Sequence, residues 1–215
     1  MKNILVPICA FLVGFSAVLG YQYIRTSQTT IPLVTAPVVS VPTPEPTFAL
    51  VPPSSAVSGV LSITSGHAKK LSRNETEYKE ASTGAQILLG ESVSTGENSS
   101  TAATFSGIVN VSMGPVSELV FANLFPSDFV LQQKSGEADY TVTQPISVRA
   151  LHSLVAIGPG ETTINIIDTD MSISVKSGSV KFALVDIDNN TKVYNLEAGQ
   201  RANIDDVARQ VYFVR

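Results

Sequence analysis

The stretch GESVSTGENSSTAATFSGIVNVSMGPVSEL, Gly90 to Leu119, decides the fold. Its small and apolar residues alternate. Ser99, Thr101, Ala103 and Phe105 fall on one face of an extended chain, and Val109, Val111 and Met113 on one face of the next. Gly107 lies between the two runs, where a tight turn needs a residue that tolerates φ > 0. The spacing predicts a hairpin with Phe105 buried and the turn at Ser106-Gly107, closed off by Gly114-Pro115.

The same two-residue period continues on both sides. Val60–Thr64, Asp128–Gln133, Tyr140–Thr143, Ile146–Leu151, Thr162–Ile167, Met171–Lys176, Val180–Ile187, Lys192–Glu197 and Gln210–Val214 are short β-rich runs separated by Gly, Asn, Asp and Ser. None carries a sustained 3.6-residue period, so residues 57–215 read as an all-β domain. Only Asn74–Ser82 leaves room for a helical turn or a further hairpin. Ser-Gly pairs at 65, 135 and 177 begin similar stretches, which suggests stacked hairpin units, solenoid-like or sandwich-like.

Upstream the character changes. Ile4–Ile24 carries no charge and has the roughly 20-residue length that crosses a bilayer as a helix. Residues 1–3 read as a cytoplasmic stub and 4–24 as a transmembrane anchor or signal segment, with Lys2 favouring a cytoplasmic start. Residues 25–56 contain Pro32, Pro37, Pro42, Pro44, Pro46, Pro52 and Pro53 and read as an extended linker. The domain is therefore expected outside the cytoplasm, tethered to a cell membrane in a single pass. Cys9, the chain's lone cysteine, lies within the apolar run and allows no internal disulfide.

Charge narrows the partners. A net charge of −4 with 15% charged residues argues against nucleic acid. The basic cluster Lys69, Lys70 and Arg73 is followed closely by Glu75, Glu77 and Glu80 and reads as a solvated face or turn.

Chemistry-bearing patterns are few. His67, at a Ser-Gly turn, and His152 have no metal-ligand spacing around them. Asp186, Asp188, Asn190 and Glu197 match positions 1, 3, 5 and 12 of a calcium loop, which makes them the metal candidate. Thr191 stands where that loop needs glycine, however, and the flanks are strand-like. No Gly-x-Ser-x-Gly is present, and Gly158–Glu161 lacks the lysine of a phosphate loop. No catalytic residue and no cofactor is assigned. The sequons at Asn74, Asn98, Asn110 and Asn189 are equally well turn residues.

Residues Gly90, Thr95, Gly96, Asn98, Ser99, Phe105, Gly107, Pro115, Ser117, Glu118 and Leu119 together resemble the FecR-type domain pattern. The Ser-Gly starts and Leu196–Ile204, similar to that family's closing Gly-Gln, extend the resemblance over most of residues 60–204. Ser106-Gly107 replaces the family's Asp-Gly, and Ile157–Ile166 departs from its Gly-Thr. The resemblance implies an extracytoplasmic, non-catalytic β domain for signalling or protein binding in a bacterial envelope. Family regulators also hold a sigma factor with a cytoplasmic region. Only three residues precede the span here, so that mechanism is not carried over. The expected partner is an unidentified protein or cell-surface polymer. A cell-surface hydrolase and a purely structural envelope component are the alternatives.

Overall fold

The computed structural model describes residues 55–214. The stub, the apolar segment and all of the linker but Ser55-Ala56 lie outside the described residues. Among the described residues no helix is long and apolar enough to cross a membrane.

The chain is all-β. In order the strands are β1 (Gly59–Ser65), β2 (Ala68–Leu71), β3 (Lys79–Glu80), β4 (Gln86–Ile87), β5 (Ser92–Thr95), β6 (Ser100–Phe105), β7 (Val109–Met113), β8 (Glu118–Phe125) and β9 (Asp128–Val142). They continue as β10 (Ile146–Ala150), β11 (Ser153–Ile157), β12 (Gly160–Ile167), β13 (Asp170–Ser177), β14 (Ser179–Val185), β15 (Thr191–Glu197), β16 (Arg201–Asp205) and β17 (Gln210–Val214). They form one open sheet, continuous through β9 and folded into two layers. One layer runs β4-β1-β6-β7-β9-β12-β13-β16-β17. The other runs β3-β2-β5-β8-β9-β10-β11-β14-β15. All pairs are antiparallel except β9–β10. Hairpins are laid alternately in the two layers, which is the form the predicted stacking takes.

The opening stretch folds as its pattern predicts. Phe105 pairs with Val109 across a three-residue turn, and Gly107 has φ +73°. Ser99, Thr101, Ala103, Phe105, Val109, Val111 and Met113 are all buried. The Phe105 ring meets Phe121 and Phe129 of the opposite layer at centroid distances of 5.4 and 5.1 Å. One core, contributed by both layers, runs the length of the domain.

β9 joins the two layers and differs from the sequence reading, which separates Asp128–Gln133 from Tyr140–Thr143. Inward residues are Phe129, Leu131 and Gln133 before Gly136, and Ala138, Tyr140 and Val142 after it. The parity of burial flips there because Gly136, at φ +78°, bends the strand from one layer into the other. A Cβ on Gly136 would lie 2.5 Å from the Ser117 backbone, and one on Gly66 would meet Ser99 in the same way. The Ser-Gly pairs at 65, 135 and 177 all mark crossings between layers, so their echo has a shared structural cause. The bend is held from inside. Tyr140 Oη donates to Gln133 Oε1 at 2.9 Å, and Gln133 Nε2 donates to the carbonyls of Gly136 and Ile164.

The resemblance pattern is built into these crossings. Thr95 Oγ1 donates to the Gly114 carbonyl at 2.6 Å and accepts from the Ser117 amide at 2.9 Å. Asn98 adopts φ 57° at the same corner. Residues 74–82 form turns and the short strand β3, paired with β2, and no helix. Lys69 and Arg73 are exposed, whereas Lys70 is not part of a solvated face. Its Nζ lies 3.2 Å from both carboxylate oxygens of buried Glu91 and donates to the Gln86 carbonyl. An apolar neighbour in place of that amine would leave the carboxylate's charge uncompensated.

Candidate binding surface

Outward residues on β9, β12, β13, β16 and β17 are polar except Ile167 and Val214, and the register aligns them. Glu137 stands opposite Asn165, Asn165 opposite Ser172, Ser172 opposite Asn203, and Asn203 opposite Tyr212. At ordinary strand spacing this row is about 19 Å long. A groove of about 380 Å3 runs along it, lined by Asn165, Ile167, Asp170, Ser172, Arg201, Asn203, Asp205 and Tyr212. Arg201 Nε donates to Asn203 Oδ1 at 3.2 Å, and Tyr212 Oη to Gln210 Oε1 at 2.6 Å. The groove thus combines a cation, two amides, two carboxylates and one aromatic face. Such a set of convergent polar groups beside an aromatic ring can hold and orient a ligand.

Beside the row, the Asp139 carboxylate accepts from Thr163 Oγ1 and from Lys176 Nζ at 2.9 Å. Partial burial pulls its pKa up, but the two hydrogen bonds and the lysine charge win and hold it below the usual carboxylate value. The same contact raises Lys176.

A second cluster lies where hairpin tips meet. Buried Asp206 accepts from the His152 amide at 3.2 Å, its Oδ2 lies 2.7 Å from His152 Nδ1, and its own amide donates to the Thr169 carbonyl. It thereby ties together the β10–β11, β12–β13 and β16–β17 turns. Next to it is an open depression of about 450 Å3 lined by His152, Val185, Asp186, Ile187, Asn189, Val207 and Arg209. Among the described residues His152 hydrogen-bonds to Asp206 and to no serine hydroxyl. The adjacent Ser153 points into the core, where its hydroxyl has no partner in the structure.

The calcium candidates do not converge. Asp186, Asp188 and Asn190 sit in the turn between β14 and β15. Glu197 stands opposite Ser179, six residues along the hairpin from the Val185–Thr191 pair, or about 20 Å at strand rise. Asp186 is occupied by the turn itself. Its Oδ1 accepts from the amides of Asp188 and Asn190, and its Oδ2 lies 3.2 Å from Lys192 Nζ. The Asn190 amide, followed by Lys192, lowers its pKa. No group of three or more metal-ligating side chains clusters among the described residues. His67 is exposed at its corner, its amide donating to Ser99 Oγ.

Neither the cross-strand row nor the Asp206 tie was found from sequence. Each assembles residues from separate strands, and the only trace is the alternation of Asn, Ser and Thr in Thr163–Ile167, Ser172–Ser174 and Arg201–Asp205.

No family model matches the sequence, and no curated protein matches it. In structure, the chain is similar to two crystal structures of a candidate anti-sigma factor from Parabacteroides distasonis, solved at 2.50 and 1.65 Å. The TM-score is 0.50 for both, with sequence identities of 18% and 17%. The likeness covers 58% of this chain and 59% of the other, so it spans less than two thirds of that protein. What is shared is the fold of the β domain.

Proposed function

We propose that this chain is a membrane-anchored, extracytoplasmic binding and signalling module without catalytic activity, a FecR-type domain displayed on a proline-rich stalk. The observation that carries the reading is the two-layer β fold shared with a candidate anti-sigma factor. The sequence adds the FecR-like corner residues and an uncharged segment, Ile4–Ile24, long enough to span a bilayer. The groove beside Asn165, Ser172 and Asn203 is the docking surface, and its ligand is an envelope protein or a surface polymer.

Photocrosslinking in whole cells tests this. A benzophenone amino acid at Asn203 of the full chain is expected to trap a discrete adduct. The same probe at exposed Asn110, on the other half of the layer, should not. Equal labelling at both positions, or none at either, would favour a purely structural envelope component. Deleting the gene should also change transcription of a defined set of genes, and an unchanged transcript profile would remove the signalling part.

A further inference from the structure

The two ends of the β domain are protected unequally. At one end the edge strands are β3 and β4, two residues each, with charged Lys79 and Glu80 on β3. Short, charged edges of this kind block pairing with another chain. At the other end the edges are β15 and β17, seven and five residues long. Among the described residues no strand pairs with their outer sides.

β17, Gln-Val-Tyr-Phe-Val, carries no charge. Phe213 stands opposite buried Ala202, and Val211 opposite buried Ile204, so both face the core side. Yet Phe213 is 55% exposed, because nothing described lies beyond it. It packs against Tyr194 of the other layer at 5.9 Å, closing the layers only from within. Stacked β units need a polar cap at each end; here β15 carries exposed Lys192 and Glu197, whereas β17 carries no charged residue.

We propose that this end is a self-association surface, and that β17 pairs antiparallel with β17 of a second copy about a two-fold axis at Tyr212. That register follows from the faces. With Tyr212 opposite its own mate, Val211 of each copy meets Phe213 of the other, so every inward residue meets an inward one. A register shifted by one residue would set Phe213 against an outward position. The arrangement is isologous and closed, because the β3/β4 ends do not continue the chain of pairings. Tyr212, Phe213 and Val214 leave open on the order of 300 Å2 of side chain per copy. Together with the edge backbone, the pair approaches the ~1,000 Å2 a specific interface needs. The row Asn165–Ser172–Asn203–Tyr212 then continues into its mate across the axis and doubles the groove. The pairing itself does not depend on what the groove binds.

The test uses the full chain in membranes with Cys9→Ser as background. Tyr212→Cys is expected to form a disulfide-linked dimer under mild oxidation, since directly opposed antiparallel residues lie within disulfide reach. Ser112→Cys, exposed in the middle of the same layer, should stay monomeric. Adding Val214→Lys to Tyr212→Cys should cut the dimer at least tenfold while the far-UV strand signal is unchanged. Equal crosslinking from Ser112→Cys, a dimer insensitive to Val214→Lys, or a monomeric Tyr212→Cys chain would each overturn the proposal. So would a Tyr212→Cys adduct to a different protein or to residues 25–54 of the same chain. A surviving dimer without Asn203 adducts would reject the groove and keep the pairing.

Discussion

Phe105 and three glycines show how much a single position can carry. Phe105 contacts aromatic rings of the opposite layer and is fully buried. Phe105→Ala should lose about 3–5 kcal/mol in a denaturant melt. Asn110→Ser, on the exposed face of the neighbouring strand, should stay within about 0.5 kcal/mol. The glycines separate two physical effects. A Cβ on Gly107 would touch nothing, so Gly107→Ala meets only left-handed backbone strain of roughly 1–2 kcal/mol. Gly136→Ala meets the same strain and also the Ser117 backbone, and overpacking adds about 1–3 kcal/mol. Equal melts for these two variants would show that the crossing is looser than described. Gly66 stands at an equivalent crossing and should behave like Gly136.

At the scale of elements, β9 and the β2–β5 pair depend on buried polar contacts. Tyr140→Phe leaves Gln133 Oε1 without its donor inside the bend and should destabilise by about 1–3 kcal/mol. The Tyr140 phenol is itself held neutral, because burial pushes its pKa up. Lys70→Met strands the Glu91 carboxylate. The loss should approach about 3 kcal/mol, below that for a fully buried pair, because Lys70 is partly exposed. Lys70→Met combined with Glu91→Leu should recover part of it. The β9–β12–β13 face adds a pH effect. Asp139 has a lowered pKa in the folded chain, so its contribution is present above the unfolded carboxylate value near 3.9 and is lost as pH falls through the folded value below it. Asp139→Asn should therefore reduce stability at pH 7 and converge with wild type in strong acid. The difference should be less than about 1 kcal/mol, since the pair is largely solvated. A gap that widens on acidification would contradict the sign.

For the whole molecule, residues 57–215 should give a far-UV circular dichroism spectrum of strand with almost no helix. A helical share near the globular norm of about a third would overturn the fold. The full chain should fractionate with membranes, with the β domain open to external protease. Recovery in a soluble cytoplasmic fraction would remove the anchor and the extracytoplasmic placement together.

Strand existence and facing in Gly90–Leu119 were legible because alternation is local: a residue's parity along an extended chain sets its face before any partner arrives. The same reasoning reached the turn at Gly107. Partnership was not legible. β2, β5 and β16 carry patterns too short or too polar to stand out, and in β8 and β11 consecutive apolar residues (Leu119–Phe121, Leu154–Ile157) hide the alternation, so pairing is what makes them strands. Gln133 and Tyr140 fall on different parities, and only the bend at Gly136 turns both inward. Lys70 reads as a surface cation until β2 packs beside Glu91. Asn165, Ser172, Asn203 and Tyr212 are unrelated polar residues in the sequence, made neighbours by hydrogen-bond register across four strands. Local periodicity therefore determined which residues face the core. Non-local pairing decided which of the others stand together, and so where a surface capable of binding is formed.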